Sequence, residues 1–183
     1  MYEKIIITGT PGTGKTTVAD ALGELLKTRV IHINEYARDK NFLVGTEGGS
    51  HVVDLEALRN SLNKEAGIIE GHLACEMKLR NSFVIVLRCD PAVLKKRLKD
   101  RGYPQKKIAE NLEAEALDYC TVRAMKGFRA VFEVDATKRT IPEIVDECMR
   151  IIYGTSTGDK VDYSHYLGKN LGKGKKKKAK KKR

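Results

Sequence analysis

Eight consecutive residues carry most of the chemistry legible in this chain: Gly9-Thr10-Pro11-Gly12-Thr13-Gly14-Lys15-Thr16, with Thr17 following. Their spacing, G-x-x-x-x-G-K-[ST], is that of a loop that cradles the phosphates of a nucleoside triphosphate. Glycines there let the backbone take positive-φ turns and approach a phosphate closely. Successive N–H groups then converge on the anion, and the positive end of a following helix adds to them. On this reading Gly12, Thr13, Gly14, Lys15, Thr16 and Thr17 bind the phosphates. Lys15 reaches the β- and γ-phosphates and the Thr16 hydroxyl ligates Mg²⁺. ATP and Mg²⁺ are the expected cofactors.

Such a loop works only between a strand and a helix, and the flanks supply both. Glu3 to Thr8 reads as a short buried strand, and Lys15 to Lys27 as a helix. Further strands are expected at 29–33, 67–70, 83–88 and 130–134, and further helices at 34–40, 54–64, 73–80, 91–100, 105–126 and 141–153. Asp90-Pro91 is a strong helix start, with Asp at the N-cap and Pro at the first helical position. Asp54 is expected to cap the helix that follows it. The apolar strand runs suit a sheet covered on both faces. Alternating strands and helices predict an α/β fold, a doubly wound parallel five-stranded sheet with ligands at the carboxyl ends of its strands. Two stretches interrupt the alternation: 34–66, with Gly45-Thr46-Glu47-Gly48-Gly49 between two helical runs, and the turn Arg101-Gly102-Tyr103-Pro104; spacing alone reads them as readily as ordinary surface loops as it does as substrate-binding insertions.

Composition narrows the classes. A chain of 183 residues can build one α/β domain with a substantial core, expected over 1–168. No apolar run approaches the length needed to cross a membrane, and with a strand read at the start of the sequence no signal peptide is expected. Cys75, Cys89, Cys120 and Cys148 form no CxxC pair and sit in apolar or helical stretches. They read as buried thiols of a reducing cytoplasm, neither a disulfide framework nor a zinc site. The net charge of +11 is concentrated at the end: Lys169 to Arg183 holds nine Lys, one Arg and no acid, which leaves only +1 for residues 1–168. That tail, 169–183, is expected to be disordered. It could bind RNA phosphates non-specifically, serve as a nuclear import signal, or only solubilise.

The combination of segments resembles the nucleoside monophosphate kinases and, more narrowly, the adenylate kinase isoenzyme 6 family. The phosphate loop at the N-terminus carries part of the resemblance. Tyr36-Ala37-Arg38-Asp39 resembles the family's Ala-Arg-acid stretch, and Glu70-Gly71-His72 its acid-x-His motif at the third strand. Arg101-Gly102-Tyr103, Lys106-Lys107-Ile108 and Glu110 to Glu115 resemble its short lid and the helix after it. Asp135-Ala136-Thr137 stands where these kinases pass the adenine. The segment at 70–74 lacks the arginine that ordinary adenylate kinases carry there, and its acid is Glu where the family pattern usually has Asp. The resemblance implies a P-loop nucleotide kinase fold, with 34–66 as the monophosphate-binding insertion and 100–112 as a short lid. It also implies kinase and ATPase activity together, and a part in late small-subunit ribosome maturation, at the last cleavage of the rRNA 3′ end. The implied partners are the eleventh universal small-subunit ribosomal protein and pre-ribosomal RNA.

Within that frame each remaining candidate has a role, and Arg38, Arg101 and His72 also have a plainer alternative. Arg38 would grip an acceptor monophosphate by a bidentate contact, or be a surface charge on a short helix. Arg101 would close onto the ATP phosphates, or be a solvated cation at a helix C-terminus; Arg97, one turn earlier, is a weaker form of the same idea. Glu70 ends a buried strand beside the loop, where a carboxylate is costly without a cation, so it would hold Mg²⁺ through water. His72 would orient or activate an attacking water, or be structural. His32, His51 and His165 have no evident partner in the sequence. Two readings besides an AMP-type kinase stay open: a ribosome-assembly ATPase with little kinase activity, and a small-metabolite kinase on the same fold.

Overall fold

The computed structural model describes residues 3–47 and 50–167. The lysine-rich tail expected at 169–183, and Gly48 and Gly49 of the glycine stretch, lie outside the described residues. Strand β1 (Lys4–Thr8) lies at the centre of a five-stranded parallel sheet. Its neighbours are β5 (Gly67–Glu70) on one side and β6 (Ser82–Arg88) on the other. The sheet is completed by β2 (Val30–His32) beyond β5 and β7 (Val131–Asp135) beyond β6. The order β2-β5-β1-β6-β7 reverses direction at β1, so the loop leaving β1 opens at the switch point of the sheet, where α/β folds bind ligands.

All seven residues of β6 are buried, as a strand covered on both faces requires. One face of the sheet packs Ile7, Ile68, Ile85 and Leu87 against helix α1 (Lys15–Leu26) and α7 (Ile141–Ile152) through Val18, Leu22, Ile144 and Cys148. The other packs Ile6, Ile69, Val84 and Val86 against α2 (Ile33–Asp39), α3 (Leu55–Leu62) and α6 (Tyr119–Gly127). Each fully buried aliphatic side chain contributes roughly 1.5–3 kcal/mol. A third cluster joins α4 (Pro91–Asp100) to α5 (Gln105–Ala116) through Leu94, Leu98, Ile108 and Leu112. Asp90 caps α4 by accepting from Ala92 N–H, and Asp54 caps α3 by accepting from Glu56 and Ala57 N–H, as their sequence positions suggested.

Four local features depart from the sequence expectations. The helix expected over 105–126 is two helices, broken where Asp118 takes φ 54° and turns its carboxylate onto Arg88. The helix expected over 73–80 is only a 3-10 turn, His72–Glu76, after which Met77 is extended. Between α2 and α3 the chain forms an antiparallel hairpin, β3 (Leu43–Glu47) and β4 (Ser50–Val53). Past α7 the chain returns to the sheet: Asp159 N–H donates to the Glu133 carbonyl of β7, and Tyr163 is buried.

Candidate functional site

The phosphate loop is held from both sides. Gly9 has φ 136°, and a Cβ there would lie 2.3 Å from the Leu87 carbonyl oxygen of β6. Gly12, at φ 94°, sits against Leu94 and Leu98 of α4, which ties the loop to the helix that bears Arg97 and is followed by Arg101. Gly14, at φ 101°, is the N-cap of α1 and offers no side-chain cap, so the first N–H groups of the helix are left to face the loop. The Thr10 carbonyl is the loop's internal anchor. It accepts from Thr13 N–H at 3.3 Å, from the Thr13 hydroxyl at 3.0 Å and from Lys15 Nζ at 3.1 Å. Lys15 thus arches across the loop, buried, while Thr16 and Thr17 on the first helical turn are exposed. Burial pushes the Lys15 ammonium below its ordinary value, against the attraction of Glu70.

Glu70 ends β5 beside β1 and is buried. Its partner is His32, opposite it in the β2–β5 register: His32 Nδ1 lies 3.1 Å from Glu70 Oε2, and Nε2 lies 3.1 Å from Asp20 Oδ1 on α1. Partial burial opposes the charge on His32, but the hydrogen bond to Glu70 and the fields of Asp20, Glu70 and Glu35 outweigh it and raise its pKa. Sequence reasoning left His32 without a role; the signal that could have found it was the register of two adjacent parallel strands. The Thr8 hydroxyl donates to the Gly71 carbonyl at 2.9 Å, fixing the turn after Glu70 to the end of β1.

His72 stands where two cavities meet. One, of about 500 Å³, is lined by Arg38, Leu43, His51, Val52 and Leu73, with the β3–β4 hairpin as its far wall. The other, of about 410 Å³, runs from Thr10 and Pro11 to Tyr103, Lys107 and Asn111 beside the turn between α4 and α5. The His72 side chain reaches solvent within the cleft. Its enclosure there and the positive field of Lys15 hold it below the ordinary histidine value. Arg38 and His72, 34 positions apart in number, therefore share one cavity. Arg101 stays exposed at the end of α4, near enough that its charge further depresses Lys15. Arg97 Nη2 donates to the Ala136 carbonyl at 2.9 Å and so braces the end of β7.

Among the described residues no group of three or more His, Cys, Asp or Glu is placed to hold a metal unaided. The oxygen donors present, the Thr16 hydroxyl and the Glu70 carboxylate, fit a Mg²⁺ that brings its remaining ligands as phosphate oxygens and water. Among the described residues no helix is long and apolar enough to cross a membrane.

A glycine loop between the central strand and α1, at the switch point of a five-stranded parallel sheet, defines a P-loop kinase fold. Solved structures show the same fold. Shikimate kinase from Acinetobacter baumannii in complex with shikimate aligns with a TM-score of 0.62 at 16% identity, covering 85% of this chain and 96% of that one. The YorR protein of Bacillus subtilis in complex with phosphorylated GDP aligns with a TM-score of 0.60 at 20% identity, covering 82% and 95%. A family profile described as an AAA domain matches residues 5–118. The chain is 44% identical over 171 residues to a protein of Methanothermobacter thermautotrophicus named "Putative adenylate kinase", covering 89% of this chain and 98% of that protein. A protein of the same name from Archaeoglobus fulgidus is 41% identical over 150 residues, 82% of each chain. The chain belongs to this adenylate-kinase-like P-loop family.

Proposed function

We propose that this protein is a nucleoside monophosphate kinase of the isoenzyme 6 type, moving the γ-phosphate of ATP to AMP or a related monophosphate, with a hydrolytic branch. The observation that carries the reading is that His72 lines both the cavity that holds Arg38 and the cavity that reaches the loop at Thr10 and Pro11. The loop N–H groups, Lys15 and Arg101 hold the donor phosphates on one side. Arg38 holds the acceptor phosphate on the other. Mg²⁺, held by Thr16 and through water by Glu70, supplies charge neutralisation when bound. His32 keeps the Glu70 carboxylate oriented. His72 positions a water in place of the acceptor when none is bound, which yields hydrolysis.

The ribosomal part of the reading rests on the sequence resemblance and on the ten cations of 169–183. In it the protein acts in the cytoplasm, on pre-ribosomal RNA and the eleventh universal small-subunit protein, in late subunit maturation. The deciding experiment incubates the protein with ATP and Mg²⁺, with and without AMP, and measures ADP, AMP and free phosphate together. AMP consumed with two ADP formed supports the kinase reading. Phosphate release indifferent to AMP overturns it in favour of an assembly ATPase.

A further inference from the structure

The arginines among the described residues sort into those that have a partner and those that do not. Arg29, Arg59, Arg88, Arg123, Arg139 and Arg150 are each ion-paired with a carboxylate. Arg97 donates to a backbone carbonyl. Among the described residues this leaves four guanidinium groups without an ion pair or hydrogen bond. Two of them, Arg38 and Arg101, are the phosphate-binding candidates of the nucleotide cleft. The other two, Arg80 and Arg129, line one and the same cavity at the opposite end of the sheet.

That cavity, of about 630 Å³, lies at the amino ends of β6 and β7. Its other lining residues are Leu79, Asn81, Ser82, Gly127 and Phe128. The surroundings are cationic. Lys78 packs across Gly127, its Cγ 3.3 Å from where a Cβ would stand, and Lys126 precedes that glycine. Beneath the rim the buried Lys4 Nζ donates to the Arg80 carbonyl at 3.3 Å. Glu3 meets the Asn81 carbonyl through its backbone N–H and turns its carboxylate towards Lys4 at 3.9 Å. Exposed cations left unpaired around a concave polar surface match a partner with repeated negative charge. Arginine forks in particular match phosphate oxygens.

We infer that Arg80 and Arg129 form a second phosphate-binding site, on the folded body, for the backbone of single-stranded RNA. The inference rests on the RNA reading given above for the tail, and extends it from the tail to the body. RNA is favoured over an acidic peptide because the same chain ends in ten cations and no acid from Lys169 onward, a charge density suited to a continuous phosphate chain. β1 separates the two sites by about 16 Å of strand, so RNA held here leaves the nucleotide cleft open.

The test uses the full-length protein and its Arg80→Gln/Arg129→Gln variant, with fluorescence anisotropy of a labelled 20-nucleotide single-stranded RNA across a salt series. The variant should bind about tenfold more weakly at low salt, with the slope of log K against log salt reduced by about 1.4, two phosphate contacts. Its melting temperature and its ATP turnover should match the wild type. Equal affinity and slope in the two proteins would sink the body site while leaving the tail reading intact. No RNA binding by the wild type would sink both. Arginine-dependent binding of polyglutamate, with RNA binding unchanged, would assign the surface to an acidic protein and overturn the proposal.

Discussion

Thr10 and Glu115 lie 105 positions apart in sequence, yet the Thr10 hydroxyl donates directly to a Glu115 carboxylate oxygen, and both residues are buried. The other oxygen of Glu115 accepts from Arg88 Nε and from Cys89 N–H, each at 2.9 Å. Arg88 in turn is neutralised by Asp118 and Glu133 and stacks over the Tyr163 ring at 5.5 Å. The phosphate loop is therefore not a free surface loop. One of its residues is tied through a buried ion network to β6, to α5 and to the returning C-terminal segment.

That tie predicts a split between binding and folding at Thr10. Thr10→Val keeps the volume and removes the hydroxyl, leaving one Glu115 oxygen without its donor. The cost should be about 1–3 kcal/mol of stability. Because the Thr10 carbonyl also anchors Thr13 and Lys15, the KM for ATP should rise several-fold with a smaller change in kcat. Thr10→Ser should restore both. Steady-state kinetics beside thermal melts check this, and a valine variant with wild-type KM would make the contact purely structural.

Lys15 gives the opposite sign. Its ammonium is buried with a backbone carbonyl as its hydrogen-bond acceptor, so it is held at a desolvation cost. Lys15→Ala should leave the melting temperature of the nucleotide-free protein unchanged or higher, while abolishing the stabilisation by ATP and both transfer and hydrolysis. A variant that melts lower yet still turns over ATP would contradict the proposed role.

Much of this was legible in the sequence where the cause is local. The glycine loop, the β1–loop–α1 unit and the caps at Asp54 and Asp90 depend on residues within a few positions of one another. What was not legible depends on distant partners. The break at Asp118 exists because its carboxylate reaches Arg88, 30 positions away. The β3–β4 hairpin needs its two strands to pair, and neither carries a strong apolar alternation. His32 acquires its partner only once β2 and β5 are in register. The return of 159–167 onto β7 is fixed by Arg139, Asp135 and Thr137, which a reading along the chain has no means to assemble.

That returning segment should be sensitive to acid. Asp159 accepts from Arg139 and from Asp135 N–H, while Tyr163 bonds Asp135 and Thr137, each at 2.9 Å. Partial burial alone would raise the Asp159 carboxyl, but Arg139 and the backbone donor outweigh it and hold it below its ordinary 3.8. A carboxylate depressed in the folded state stabilises it above the unfolded pKa, and that stabilisation is lost as pH falls through the folded value. Asp159→Asn should therefore lower the melting temperature at pH 6, and the gap to the wild type should close as pH falls below about 4. A gap that does not change with pH would show that the carboxylate's charge contributes nothing there.

His72 separates the two chemistries of the proposed enzyme. It lines both the cavity that holds Arg38 and the cavity that reaches the loop at Thr10. Burial and the field of Lys15 hold its pKa below the ordinary value, which favours the neutral imidazole that can accept a proton from water. Transfer to a bound monophosphate has its own nucleophile, already positioned by the acceptor site, and depends on this proton acceptor less. Hydrolysis has only a water to orient. His72→Ala should then lower phosphate release by on the order of a hundredfold, with transfer to AMP falling less than tenfold. Both rates are read from one reaction by resolving ADP, AMP and phosphate. Equal losses in the two would place His72 in the structure of the cleft and leave the hydrolytic branch without its base.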